Sequence, residues 1–353
     1  MSTRRKLPAP GRGSAAQTSS ATAAAGRPDP IEYVHPELRA ALKLAIENYY
    51  SQFPSLTSAS LHKYRQAAAE MAMPAFPSPP VTERLIPGPK GAPRVRVYMV
   101  GNSPGAARPA VLHMHGGGYV AGTALRDLRD IQALSKALDC VVVSVEYRLA
   151  PETRFRGSLE DNYAALKWIY QHAHELGIDR DRIAVKGESA GGGHATALAM
   201  VARDRGEVPI CMQVLIYPML DDRTGSTRRL PRFIGYYTWT PPKNRFGWTS
   251  LLGRPAGSAR VPQYSVPARV KDLRGLPPAF IGVGSIDLFV SEDVEYARRL
   301  IESGVRTQLT VVPGAYHGFC NFAPRASLSR QFTRTWRESL QRAFGKKTAT
   351  GRQ

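Results

Sequence analysis

Cysteine is scarce in this chain: Cys140, Cys211 and Cys320 are the three in 353 residues. An odd, widely spaced set does not build a disulfide framework, and Cys140 and Cys211 each open an apolar run. Buried thiols are expected, in keeping with a reducing cytoplasm. Long apolar runs are also missing, and none approaches the ~18 residues of a membrane span. The early basic group Arg4-Arg5-Lys6 lacks the apolar stretch of about 7–15 residues that an export signal needs. A soluble, cytoplasmic protein is therefore expected. Negative charge is in short supply too, with 28 acidic against 48 basic side chains and a net charge of +20. Such a surface can attract nucleic acid or an anionic membrane, or simply keep a protein dissolved. The arginines are spread along the chain, however, dense only at the two ends and over Arg223 to Arg232. No aromatic-interleaved basic stripe exists, so a nucleic-acid partner is not expected. Internal repeats are absent, and no His/Cys/Asp spacing marks a metal site. Neither a metal nor a cofactor is expected.

What is present fits one large α/β domain. Hydrophobic residues make up 43% of the chain, enough for a sizeable core. Residues 1–30, rich in Ala, Ser, Pro, Gly and Arg, read as a disordered basic tail, leaving 31–353 as the folded domain. Leu38, Ala41, Leu42, Ala45, Ile46 and Tyr49 fall at helical spacing and predict an amphipathic helix from Pro36 to Tyr50. A second helix is expected from Ser58 to Met73, ending at a proline cluster, followed by strands at Val81–Ile86 and Val95–Val100. From Ala110 onward strand-like and helix-like runs alternate, the pattern of a parallel sheet. The alternation breaks between about 219 and 267, a segment rich in Pro, Arg and aromatics. A last helix is expected near Ser327 to Phe344, then a short basic tail; Arg330, Arg334 and Arg337 share one face of it.

Within this frame lies Gly187-Glu188-Ser189-Ala190-Gly191, preceded by the apolar Ile183-Ala184-Val185 and followed by a small-residue helical run, Ala195 to Val201. This is G-x-S-x-G in the strand–turn–helix setting that raises a serine on a sharp elbow. Alone, the motif could be a glycine-rich turn with an idle serine. Upstream, the strand-like Ala110 to Met114 runs into His115-Gly116-Gly117-Gly118-Tyr119. A phosphate cradle would want Lys-Ser or Lys-Thr after the last glycine, and Tyr119-Val120 stands there instead. Glycines let main-chain N–H groups approach a developing oxyanion closely. Gly116 and Gly117 are the expected donors, with the Ala190 N–H completing the hole and Gly118 shaping the turn.

An acid and a histidine should follow the nucleophile in the chain. Asp287 comes after the apolar run Ala279 to Val283, and His317 after Leu309 to Val312. Both thus sit on loops at strand ends, where open α/β sheets bind ligands. His317 is expected as general base, then acid, with Asp287 orienting it. Asp221 and Asp222, after Val214 to Tyr217, are the alternative acids. Glu292, one turn into the next helix, is expected to cap it or to pair with an arginine. His194 is expected in a packing or hydrogen-bonding role, His113 as a buried strand residue, and His115 as a brace for the glycine loop.

These residues resemble the hormone-sensitive-lipase-like branch of the α/β-hydrolases, also called bacterial family IV esterases. The resemblance rests on His115 to Gly118, Tyr147-Arg148-Leu149-Ala150-Pro151-Glu152, Gly187 to Gly192, Asp287-Leu288 with Glu292-Asp293 behind, and Tyr316-His317-Gly318-Phe319. It covers roughly residues 80–340. It implies an α/β-hydrolase fold, an eight-stranded, mostly parallel sheet flanked by helices, with a helical cap drawn from about 31–80 and part of 219–267. Phe233, Tyr236, Tyr237, Trp239 and Trp248 belong to the second cap segment. It also implies a serine carboxylesterase of short-to-medium acyl esters that needs no cofactor, its partner a small-molecule ester. An amidase or lactonase on the same machinery is the alternative, with a non-catalytic small-molecule receptor behind it. The oligomeric state stays open, a homodimer among the options. Three departures stand out. Glu188, a less frequent choice among members, precedes the serine where Asp or Thr is usual, Gly193-His194 replaces an asparagine–leucine pair, and Arg156-Gly157 replaces a proline–alanine pair.

Overall fold

The structure, a computed structural model, describes residues 29–51 and 55–345. The tail expected over 1–30 lies outside the described residues except for Asp29 and Pro30, as does the basic end after Gly345. The strands are β1 (Val81–Ile86), β2 (Val95–Val100), β3 (Arg108–Met114), β4 (Val141–Glu146), β5 (Ile178–Glu188), β6 (Met212–Ile216), β7 (Ala279–Gly284) and β8 (Thr307–Val312). They form one sheet in the order β1-β2-β4-β3-β5-β6-β7-β8. β1 and β2 pair antiparallel, as do β2 and β4, and the remaining pairs are parallel. This is the eight-stranded, mostly parallel sheet expected.

Ten α-helices accompany it among the described residues: α1 (Pro36–Ala45), α2 (Leu61–Glu70), α3 (Leu128–Leu138), α4 (Phe155–Gln171), α5 (Ala173–Leu176), α6 (Ala190–Arg205), α7 (Pro241–Leu252), α8 (Val290–Glu302), α9 (Phe319–Phe322) and α10 (Ser327–Gly345). Side chains alternate across the pleat, so Val141, Val143 and Val145 of β4 enter one core and Val142 the other. The first core packs the sheet against α4, α6 and α8; the second packs it against α1, α3 and α10. Both faces are therefore covered, which is why the central strands read as unbroken apolar runs.

Three elements differ from expectation. The first helix keeps α geometry only to Ala45, and Ile46–Tyr50 widens into a π turn closed by Ser51 N–H on the Ile46 carbonyl at 2.8 Å. The second helix is shorter than expected because Ser60 and Thr57 bond each other's backbone N–H groups ahead of it, at 2.8 and 3.2 Å. The irregular segment 219–267 contains α7, which begins on Pro241-Pro242. Proline in the first turn of a helix loses no hydrogen bond, so the prolines that read as disruption mark a helix start.

Candidate active site

β5 delivers Ser189 to its position. The chain leaves the strand at Glu188, turns at Ser189 with φ 55° and ψ −119°, and enters α6 at Ala190. A left-handed φ on a non-glycine residue costs about 1–3 kcal/mol and persists only where neighbours enforce it. Here Ser189 N–H bonds the Ile216 carbonyl at 2.9 Å, and the Ser189 carbonyl accepts from Gly193 at 3.0 Å and Met219 at 2.9 Å. The flanking glycines are required by close approach. A Cβ on Gly187 would meet the Gly191 carbonyl carbon at 2.2 Å, and one on Gly191 the Met114 oxygen at 2.0 Å.

The loops after β7 and β8 bring Asp287 and His317 to this serine. His317 Nε2 lies 2.9 Å from Ser189 Oγ, and its Nδ1 lies 2.8 Å from Asp287 Oδ2. Asp287 is fully buried, and its other oxygen accepts from Phe289 N–H at 2.9 Å. A buried carboxylate beside Nδ1 holds the ring proton there and leaves Nε2 to accept from the serine hydroxyl. The imidazole is walled by Tyr217 at 4.8 Å and Phe289 at 5.1 Å between ring centroids, both edge-on. Thr238 Oγ1 donates to the His317 carbonyl at 2.8 Å, and the buried Lys243 ammonium donates to the Thr238 carbonyl at 2.9 Å. Burial pushes the Lys243 pKa down to about 8.

The glycine loop after β3 runs alongside. The ideal Cβ position of Gly116 is 3.6 Å from Ser189 Cβ. Gly117 has φ +128°, and its carbonyl accepts from Val120 and Ala121 at 3.2 and 3.0 Å. The N–H groups of Gly116, Gly117 and Ala190 have no protein acceptor among the described residues. His115 Nδ1 sits 2.8 Å from the Gly116 carbonyl, its ring stacks on Tyr147 at 4.2 Å, and Tyr147 OH donates to its carbonyl at 2.6 Å.

The other acids are occupied elsewhere. Asp221 bonds Arg223 at 2.8 Å and faces Arg228, while Asp222 pairs with Arg269 at 2.6 Å. Glu292 neither caps its helix nor meets an arginine; it is buried and accepts from the N–H groups of Leu220 at 2.7 Å and Asp221 at 3.1 Å. Burial, with the Asp221 charge beside it, pushes its pKa well up. His194 packs edge-on between Tyr119 and Tyr147, and burial takes its pKa down to about 3.

The cavity in front of Ser189 has two ends. One is aromatic, with Tyr50, Tyr64, Trp239 and Phe322. Of the aromatic residues expected from segment 219–267, Trp239 lines it. Trp248 is instead in the core, 5.1 Å from the Tyr119 ring, and Tyr236 is exposed. The N-terminal segment joins this end directly: Tyr33 stacks on Phe233 at 4.2 Å, and Lys243 lies 4.3 Å from the Tyr50 ring.

The other is polar, lined by Arg126, Asp127, Asp130, Glu188 and His113. His113 bonds Ser144 Oγ through Nδ1 at 2.9 Å and Glu188 Oε2 through Nε2 at 2.8 Å, with Asp127 4.0 Å away. Lys186 bonds the other Glu188 oxygen. Burial takes the His113 pKa down to about 4 and Lys186 to about 8. Sequence spacing shows no metal-ligand set. The fold nonetheless brings one ligand atom each from His113, Asp127 and Glu188 within 4.8 Å of one another. The signal was parity: His113 and Lys186 are polar residues in apolar strands, and the ladder sets them opposite each other.

A family model described as alpha/beta hydrolase fold matches residues 111–321. The chain is 33% identical to esterase LipI of Mycobacterium tuberculosis over 263 residues, covering 71% of this chain and 78% of that protein. It is 31% identical to carboxylesterase NlhH of the same organism over 330 residues, covering 88% of this chain and 97% of that one. Among solved structures, a bacterial heroin esterase superposes with a TM-score of 0.80 at 34% identity, covering 90% of this chain and 99% of that one.

Proposed function

The chain belongs to the α/β-hydrolase fold family, in its hormone-sensitive-lipase-like branch, and is a carboxylic ester hydrolase; from that premise we propose that Ser189, His317 and Asp287 carry the reaction. The observation that supports this most is the continuous contact from Asp287 through His317 to Ser189, at 2.8 and 2.9 Å. Ser189 Oγ attacks the ester carbonyl as His317 Nε2 takes its proton. The carbonyl oxygen gains the negative charge, facing the N–H groups of Gly116, Gly117 and Ala190. Collapse of the tetrahedral species breaks the bond to the alcohol, which leaves with the proton from His317. Water then attacks the acyl-enzyme by the same route in reverse, releasing the carboxylate and restoring Ser189.

Asp287 keeps the proton on Nδ1 and offsets the charge of the imidazolium. The backbone of His317 is held from the other side by Thr238. Elements α1 and α2 with the turn between them, together with the segment around Trp239 and α7, serve as the cap. This reading is supported by the placement of Tyr50, Tyr64 and Trp239 on the cavity wall. The substrates are small carboxylic esters with short to medium acyl groups, the aromatic end of the cavity bounding the apolar arm.

The test is a set of p-nitrophenyl esters graded from acetate to laurate, with an amide and a lactone beside them. Turnover peaking between acetate and hexanoate, with covalent labelling of Ser189 by an organophosphonate, is the expected result. A peak at twelve carbons refutes the substrate range. Tight binding of acyl compounds without turnover or labelling refutes the catalytic assignment.

A further inference from the structure

The polar end of the cavity holds more acceptors than its neighbours satisfy. Glu188 shares its oxygens between Lys186 and His113. Asp127, by contrast, pairs with no lysine or arginine among the described residues, and its carboxylate lies 4.0 Å from the His113 ring nitrogen. His113 is nine-tenths or more buried, and its far nitrogen is already held by the Ser144 hydroxyl at 2.9 Å. The 2.8 Å contact between the near nitrogen and Glu188 needs a proton between the two atoms, carried on Nε2 while the Ser144 hydroxyl donates to Nδ1. A metal cation can take the place of that proton, with Ser144 then accepting from Nδ1.

We propose that His113 Nε2, Asp127 and Glu188 form a binding site for a divalent transition cation of the zinc type, and that its occupancy inhibits the enzyme. Metal bonds of ~2.0–2.2 Å place neighbouring ligand atoms roughly 3–3.7 Å apart. The edges of 2.8 Å from His113 to Glu188 and 4.0 Å from His113 to Asp127 bracket that span. Small side-chain movements on partly exposed carboxylates close the difference. An imidazole with two carboxylates suits Zn2+, Co2+ or Mn2+ better than Mg2+ or Ca2+, which take oxygen donors. Ser144 plays the supporting part that a metal-bound histidine requires, fixing the ring and its tautomer through the other nitrogen.

Inhibition follows from position. Glu188 immediately precedes Ser189, whose backbone is held at φ 55°. An ion bound there pulls on the residue next to the nucleophile and fills the polar end of the cavity that also contains His317. The Glu188 side chain is long enough to reach His113, at 2.8 Å. Lys186 stays on the second oxygen of the same carboxylate.

The inhibitory arm rests on the proposed esterase function; the binding arm does not. Co2+ alone is titrated into the full chain after EDTA treatment, following its visible absorption, and Zn2+ is titrated by calorimetry. One ion per chain is expected. Asp127→Asn should weaken binding at least tenfold, and Ser144→Ala by about tenfold or more. In p-nitrophenyl acetate hydrolysis, EDTA should leave the rate unchanged. Zn2+ should lower it reversibly, and Asp127→Asn should abolish that response, read as the ratio of each protein's own rates with and without Zn2+. Equal Co2+ affinity in parent and Asp127→Asn assigns the ion to other histidines and overturns the proposal. So does a parent that binds no Co2+ below millimolar concentration. A metal-free protein with no esterase activity overturns the functional reading instead, and the Co2+ titration still decides the site.

Discussion

Alanine at Gly116 and at Gly117 should have very different consequences, although the two residues are neighbours in one loop and each keeps its N–H. At Gly116 the new Cβ would lie 3.2 Å from the Glu188 carbonyl oxygen and 3.6 Å from Ser189 Cβ. That contact asks the elbow to move by a few tenths of an ångström. A misplacement of a full ångström costs about 10²-fold, so a loss of roughly 3- to 10-fold in kcat is expected. At Gly117 the Cβ would lie 1.9 Å from the Ala121 carbonyl oxygen, at φ +128°. No side-chain rotation relieves a clash with backbone. The loop must turn, and its N–H turns with it. Losing one oxyanion donor typically costs ~10²–10³ in kcat, or about 2.7–4 kcal/mol. Gly117→Pro, which has no N–H to present, should fall in the same range. The assay is steady-state hydrolysis of p-nitrophenyl acetate, with thermal melting to show that each variant folds. KM should change little, because the donors act on charge that develops only in the transition state. Gly117→Ala within tenfold of the parent, or Gly116→Ala and Gly117→Ala equally impaired, would refute the assignment of the loop.

Ser189→Ala and His317→Ala should each lower kcat ~10⁴-fold or more, and the double variant should be no worse, because the residues act as one unit. Asp287→Asn should cost ~10⁴-fold by favouring the wrong tautomer; near-normal activity there, with a loss in Asp222→Asn, would transfer the acid role. Trp239→Leu should raise kcat/KM for octanoate relative to butyrate, as the wall it forms recedes; an unchanged ratio removes Trp239 from the specificity surface. Stability should fall with acid. Burial takes His113 from 6.5 to about 4 and His194 from 6.5 to about 3, so in that interval the unfolded chain binds protons that the folded one refuses. The stabilisation is intact above 6.5 and drains away as pH drops towards those values. Melting temperature against pH checks this, with a shallower acid slope expected for His194→Leu.

The sheet was legible because its central strands are apolar on both sides, and Val81–Ile86 and Val95–Val100 were bounded by Gly and Pro. The convergence of Ser189, Asp287 and His317 was legible because each follows a strand, and the loops at the carboxyl edge of a parallel sheet meet there. What escaped depends on contacts between distant segments. Tyr50 and Tyr64 read as ordinary positions on amphipathic helices, and nothing in their spacing says that they reach the cavity. The arginine expected beside Glu292 was a guess from charge alone. In the fold this carboxylate has a backbone task, receiving two N–H groups of the segment after β6. Asp127 and Glu188 are 61 positions apart, yet both line the cavity in front of Ser189.

The seating of the N-terminal segment has a consequence for how the chain is made. His35 N–H bonds the Gly314 carbonyl at 3.0 Å, and Glu37 accepts from Ser327, 290 positions further on. Tyr33 and Tyr50 find Phe233 and Lys243. Residues that leave the ribosome early must therefore wait for partners translated near the end, while β3 to β6 already have theirs. Contacts this far apart in sequence are slow to form. During synthesis β3 to β6 can pair, and α2 can meet Val120, Ala150 and Glu152 through Arg65, before α1 finds its partners. Slow synthesis between Phe233 and Ser327 would prolong the interval in which α1 exposes its apolar face, leaving it open to chaperone capture and aggregation.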